Sequence, residues 1–311
     1  MSARVAVIAS VLAGACATTP ASPPSAGAAP ASSSDVAQNG AAARKGWRAL
    51  TREKRATEAR AMCTPWLTAA PRIAAEGHRC LAQVELIGSY KIHGGKEDGF
   101  LGMGYTGPGV DRALEHLAQA IALVPEDLST HEGRLHVAIN SAHTGDAPAL
   151  LADSLARYTG PDAREEWLAV SQELWERRAP GVGLEYMRVL EKRYPDDHRI
   201  VGNVGTFLIA LKRDDEGLAY LKRAVALAPD DAIDNWNLGR FHERHGDAAS
   251  AEPLYRKAVL LEKNPERHQD MACNLGRFLT ARPATKAEGC AIADKECGGR
   301  IPECGSGRSA P

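Results

Sequence analysis

The phrase NVGTF at 203–207 returns as NLGRF at 237–241 and again at 274–278, first 34 and then 37 residues on. A period of 20–50 residues marks a chain built from stacked supersecondary units, so it constrains the fold before any other motif does. Laid out as blocks 164–197, 198–231 and 232–265, the chain aligns Pro195 with Pro229, Leu190 with Ala224 and Ala258, and Gly183 with Gly217 and Ala251. Met187, Leu221 and Tyr255 form a further column, as do Val170, Val204 and Leu238, with Ser171, Gly205 and Gly239 beside them. Bulky residues at helical spacing, small residues at matched places and a proline near the block end describe two antiparallel helices per block. Composition agrees: Ala and Leu are abundant and aromatics are 5%, a balance that favours helices over sheets.

This layout resembles the tetratricopeptide repeat, with Trp167 at the fourth place of its block, small residues at places 8, 20 and 27, a bulky residue at 24 and Pro near 32. The resemblance implies an all-α fold, a right-handed solenoid of antiparallel helix hairpins (a TPR-like superhelix), in which each hairpin buries its apolar face on the next. Upstream, VDRALEHLAQAIALVPED puts Ala113, Leu117, Ala120 and Pro125 at the spacings of a second helix, whose partner is expected over 79–92. Residues 128–161 read as a degenerate hairpin turning at Gly145-Asp146, like Gly246-Asp247, where Gly ends one helix and Asp caps the next. The stretch 44–62 is helical without the full pattern, and the third NLGRF opens a last hairpin whose second helix is expected over about 285–296. That makes about five hairpins, with Pro253 expected to kink or delay its helix.

The N-terminus reads MSARVAVIASVLAGACA, one Arg and an apolar run from Val5 to Leu12 before small residues, the layout of an export signal. LAGAC resembles a bacterial lipobox, with Leu12 four places before Cys16, which implies a signal peptide at 1–15 and lipidation at Cys16. The alternative is an A-x-A site at Ala15–Ala17 that releases a soluble periplasmic protein. Residues 16–43 are then lipid anchor and disordered linker, because Ala, Pro, Ser and Gly bury too little to offset ordering entropy. A coil of that length holds the fold roughly 30 Å from the anchor. The repeat domain is expected over 44–296 and a Cys-containing tail over 297–311. The expected location is the outer membrane facing the periplasm, or the cell surface. A net charge of −1 gives no global pull toward nucleic acid.

Six further cysteines, an even number in an exported chain, read as disulfides. Cys63/Cys80 and Cys273/Cys290 share one spacing, and their midpoints, Pro71-Arg72 and Ala281-Arg282, fall in expected turns. Residues equidistant from a hairpin turn face each other, so the expected pairs are Cys63–Cys80 and Cys273–Cys290, leaving Cys297–Cys304 to close the tail. Zinc is the rival reading, weakened by the lack of a C-x2-C knuckle.

Motifs that suggest an enzyme do not fit their chemistry. GMGYTG (102–107) matches a dinucleotide fingerprint, but no βαβ unit surrounds it and Pro108 follows, so 93–109 reads as a long loop between helices. HEGRLH spaces His131 and His136 five apart, which puts them on different helix faces, and HERH leaves His242 and His245 as surface residues beside a turn. The basic residues of ARKGWRALTREKRATEAR (43–60) interleave with acids as on a solvated helix, or as one attracted to anionic lipid. No catalytic residue, metal site, cofactor or small-molecule substrate is expected.

In tetratricopeptide arrays the first helix of each hairpin lines the groove. The resemblance therefore places Asn203, Asn237 and Asn274 in a row there, able to bond the backbone of an extended peptide. Gln172, Trp175, Thr206, Trp236, Arg240, Glu243, Arg244 and Arg277 take neighbouring inward places. The lysines of a C-terminal carboxylate clamp are missing. The expected function is a non-catalytic scaffold binding another envelope protein, of the kind that aids assembly of a secretion or pilus complex. The alternatives are an envelope enzyme or redox factor using loop 93–109 or the C-terminal cysteines, and a self-associating structural protein.

Overall fold

The computed structural model of the protein describes residues 40–94, 101–297 and 304. The expected signal peptide, Cys16, residues 16–39 of the expected linker, and nearly all of the tail lie outside the described residues. Two compact units divide the chain, Met1–Tyr186 and Met187–Pro311.

The first unit opens with α1 (Gly40–Arg52), four residues before the expected start, then α2 (Ala56–Cys63), a 3-10 turn (Thr64–Thr68) and α3 (Pro71–Leu86). Pro71 at the first helical position starts α3 without losing a bonded N–H. Trp47, Cys63, Trp66, Cys80, Leu81 and Val84 bury one cluster, stapled by the expected Cys63–Cys80 disulfide. The first helix of this hairpin does not continue to 92 as expected. Ile87 is extended and Gly88 has φ +77°, after which β1 (Tyr90–Gly94) pairs antiparallel with β2 (Leu101–Tyr105), setting Tyr90 opposite Tyr105. Then come α4 (Gly109–Leu123), α5 (Leu128–Ile139), α6 (Ala147–Arg157), α7 (Arg164–Glu176) and the start of α8 (Pro180–Arg193). The α5–α6 turn falls at Thr144–Asp146, as the sequence indicates. Trp167 anchors the end of this unit, with His131 and Tyr158 meeting it edge-on and the Tyr186 hydroxyl donating to its carbonyl at 3.0 Å.

The second unit holds the end of α8 and three complete hairpins: α9 (His198–Ala210) with α10 (Asp214–Leu227), α11 (Ala232–Arg244) with α12 (Ala248–Leu261), and α13 (Pro265–Thr280) with α14 (Lys286–Glu296). Asp197, Asp231, Asp247 and Asn264 cap α9, α11, α12 and α13, each accepting backbone N–H bonds from the first turn. Such a cap contributes about 1 kcal/mol. Within each hairpin the helices touch at small residues. A Cβ on Gly205 would sit 3.0 Å from the Gly217 carbonyl, and one on Gly276 would sit 2.9 Å from the Ala293 nitrogen. Bulky residues fill the gap to the next hairpin: Leu221 with Leu238 and Phe241, and Tyr255 with Leu275, Phe278 and Leu279. Pro253 does not delay α12, which starts at Ala248 under its Asp247 cap and runs through the proline.

The turns repeat as strictly as the core. Arg178, Lys212 and Gly246 are 34 residues apart and all left-handed, at φ 53°, 63° and 75°. Only the third copy is the residue that adopts this conformation without penalty.

The C-terminal disulfides differ from expectation: Cys273 pairs with Cys297 and Cys290 with Cys304. The α13–α14 turn lies over 281–285, two residues later than the midpoint of 273 and 290. Close approach of Gly276 to Ala293 then puts Cys273 beside the end of α14, where Cys297 sits.

Gly205→Val is expected to destabilise the protein by about 2–3 kcal/mol, because the added carbons have no room in a close-packed contact. Lys212→Gly should stabilise it by up to about 1 kcal/mol by relieving the left-handed turn. Urea unfolding checks both, and non-reducing peptide mapping checks the two C-terminal pairs.

Candidate interaction surface

Helices α9, α11 and α13 lie side by side in the second unit. α9 packs on α11, and Trp236 of α11 packs on the cluster containing Leu275, Phe278 and Leu279 of α13. Their residues that face away from the paired helices form the surface indicated by the sequence. Asn203 and Asn237 are half-buried, and their side-chain amides make no hydrogen bond among the described residues. Asn274 differs: it is exposed and its Nδ2 donates to the Asp270 carbonyl of its own helix at 2.8 Å. Thr206 is similarly occupied, donating to the Gly202 carbonyl at 3.0 Å.

Trp236 is half-buried against Tyr255, ring centroids 4.4 Å apart, and leaves part of its indole to solvent. Arg240 and Arg244 follow it at successive fours, on one stripe of α11. Arg277 of α13 takes the place corresponding to Arg240 in the last hairpin. All three arginines are exposed, and none of their guanidinium groups has an ion-pair or hydrogen-bond partner among the described residues. The nearby carboxylate, Glu243, accepts a hydrogen bond from the buried Tyr255 hydroxyl. The surface is thus cationic, with one partly open aromatic ring and two free amides. Gln172 and Trp175 belong to α7 in the first unit, where Gln172 donates to Glu176 at 3.3 Å and Trp175 is 43% exposed.

The other motifs resolve into structural roles. Gly104 and Gly109 of the Gly-rich stretch sit where backbone meets backbone: a Cβ on Gly104 would lie 2.6 Å from the Asn140 carbonyl, and one on Gly109 2.2 Å from that of Glu85. His131 is buried with Nε2 3.0 Å from the Pro125 carbonyl, while His136 meets Glu173 at 2.9 Å. His242 bonds Asp247 at 3.0 Å and His245 bonds the Phe241 carbonyl at 2.8 Å, so the two rings have separate partners.

One cluster escaped the sequence reading because its spacing crosses from one hairpin to the next. His198 Nδ1 lies 2.6 Å from Asp234 Oδ2, and ligating atoms of His198, Asp231 and Asp234 fall within 4.8 Å of one another. These atoms could hold a metal ion, but they already serve the fold: Asp231 caps α11 by accepting the Asp234 N–H, and His198 pins α9 to α11. Burial pushes the Asp234 carboxyl up to about 6, with Asp231 adding to the shift and His198 opposing it. A second cluster, of cations on α1, was visible in sequence only as a basic run.

The 34-residue register, small-residue hairpin contacts and recurrent turns define a helical-repeat fold of stacked antiparallel hairpins, the fold that the tetratricopeptide resemblance implies. No protein-family model matches the chain, and no curated protein matches it. Among solved structures it is similar to MamA 41-end from Desulfovibrio magneticus RS-1, at 19% identity over 52% of this chain and 89% of that one, TM-score 0.35. It is also similar to YrrB, described as a TPR protein with an unusual peptide-binding site, at 18% identity over 49% and 78%, TM-score 0.35. PilW, a type IV pilus biogenesis factor, matches at 17% identity over 63% and 89%, TM-score 0.42. Among the described residues no helix is long and apolar enough to cross a membrane.

Asp234 should make stability pH-dependent. Its folded pKa, about 6, lies above the ordinary 3.8, so the native state holds the proton more tightly. Its stabilising contribution is full below about pH 4 and is lost as pH rises through 6. Relative to Asp234→Asn, the wild type should therefore lose up to about 3 kcal/mol between pH 4 and pH 7. Urea unfolding at several pH values measures this, and parallel pH profiles for the two proteins would refute it.

Proposed function

We propose that the protein is a non-catalytic scaffold that binds an extended, acid-bearing segment of another protein across α9, α11 and α13. The observation that carries this reading is the set of three arginines, Arg240, Arg244 and Arg277, exposed and unpaired beside a partly open Trp236. In a chain where most arginines have carboxylate partners, three left free on one face are cations awaiting an anionic partner. Arg and Trp are also the side chains that most often anchor interfaces. Asn203 and Asn237 have amide groups available to donate to and accept from a partner backbone. Asn274 would first have to release its bond to Asp270, so it is assigned a lesser part.

The setting proposed is the bacterial envelope. Three disulfides suit an oxidising compartment rather than the cytoplasm. The N-terminal pattern supports export, with Cys16 as lipid anchor in the outer membrane, facing the periplasm or the cell surface. A soluble periplasmic form is the alternative. Pairing of all six downstream cysteines argues against a redox role for the tail, which would need a free thiol.

Chemical crosslinking and pull-down from an envelope fraction tests the assignment. Asn203→Ala/Asn237→Ala/Arg240→Ala should lose the partner by about tenfold or more, since loss of a single interface anchor of about 2 kcal/mol exceeds that factor. Capture should also weaken as salt rises and screens the arginines. An unchanged partner set with the triple variant would remove the proposal.

A further inference from the structure

The first unit contains a cleft of about 680 Å³ that the scaffold reading does not use. α1 forms one wall, and the start of α3 and the α4–α5 turn form the other. Five cationic side chains line it against three carboxylates, and each of those carboxylates is already taken. Glu76 accepts from Arg44, whose Nε is 3.1 Å away, and from the Trp47 indole at 3.4 Å. Asp127 is held by Arg79 and by the Ser129 hydroxyl at 2.7 Å, and Glu126 by Arg72 at 2.9 Å.

Lys45, Arg48 and Arg52 recur at helical spacing along α1 and line the same cleft, with no carboxylate partner among the described residues. Lys45 and Arg52 are exposed, as on any solvated helix. Arg48 is the exception: its Nε is closed off from water and has no acceptor. A closed-off N–H left unbonded is costly even on a half-buried side chain, and it leaves a donor open to an acceptor entering the cleft. Burial, then the charge of Arg44, pushes the Arg48 guanidinium below its ordinary pKa, with Glu76 opposing the shift and Arg52 adding to it. Net of the Glu76 charge, the surroundings still disfavour the charged guanidinium, so added negative charge in the cleft would favour it. A guanidinium presents paired donors that match phosphate oxygens, and a cleft of this size holds a small organic ligand.

We propose that this cleft binds a phosphate-bearing anion, with Arg48 as the inner ligand and Lys45 and Arg52 as flanking cations. Two sources share that chemistry: the headgroup of an anionic phospholipid and a soluble phosphate ester. The site is independent of the α9, α11 and α13 surface, so either assignment can fail without the other.

The test uses the full chain carrying Cys16→Ser, so that no acyl group contributes. One arm measures cosedimentation with phosphatidylcholine vesicles, with and without about a quarter phosphatidylglycerol, since basic residues near a surface are drawn to anionic lipid. The other arm titrates glycerol 3-phosphate and inorganic phosphate by calorimetry. Binding in at least one arm is expected, falling about tenfold or more in Arg48→Gln and in Lys45→Ala/Arg52→Ala. The double variant changes only exposed side chains, so it guards against a folding artefact. Lys222→Ala/Lys263→Ala should bind as the wild type does. A response confined to vesicles identifies the headgroup as the source, and one confined to solution identifies the soluble ester. No binding in either arm overturns the proposal. So does binding unchanged in the α1 variants, or lowered equally by the Lys222/Lys263 pair.

Discussion

The repeat depends on helix pairs drawn close enough for backbone to meet backbone. At Gly205 against Gly217, and at Gly276 against Gly289 and Ala293, backbone atoms of the facing helix come within 3.0 Å of where a Cβ would stand. That closeness fixes the register within a hairpin, and the register fixes which bulky residues are turned outward to meet the next one. Leu221 and Tyr255 can fill their gaps only because the small residues hold their helices at one separation. The 34-residue period is the sequence record of this constraint. The 37-residue step before Asn274 lengthens the entry to α13 and leaves the small-residue contact inside the last hairpin intact.

What was legible follows from which features are local. Helices α9 to α14 and the α5–α6 turn are encoded by spacing, capping residues and small-residue columns within a few turns of chain, and they stand where the pattern puts them. The α3 helix was overextended because LIGSYKI reads as apolar either way. Gly88 and the long-range pairing of Tyr90 with Tyr105 decide for strand. The C-terminal disulfides were misjudged because their pairing depends on a turn placed to within two residues. The left-handed turn was recognised at Gly246 but not at Arg178 or Lys212, because the backbone imposes a conformation there that those residues do not advertise.

The proposed interaction surface is marked in the sequence by position and not by chemistry. Repeat register brought out Asn203, Asn237, Trp236 and the three arginines, but only side-chain partners separate the free amides of Asn203 and Asn237 from the occupied one of Asn274. The same distinction sorts charge throughout the molecule. Asp197, Asp231 and Asp247 are consumed as helix caps, and Glu85 is gripped by Arg60 and Arg112. Against that background of internal pairing, cations without partners stand out on α11, α13 and α1. Net charge near zero conceals this, because it sums over the whole chain and says nothing of where unpaired charges of one sign are gathered.

The two C-terminal disulfides interleave, Cys273–Cys297 overlapping Cys290–Cys304. A cut anywhere between 273 and 304 therefore leaves at least one bridge spanning it. Under the nearest-neighbour pairing, a cut between 291 and 296 would have released everything beyond it. A single protease nick between these cysteines breaks one peptide bond without detaching either fragment, so the terminal hairpin can be damaged in place with its pieces still joined through a disulfide.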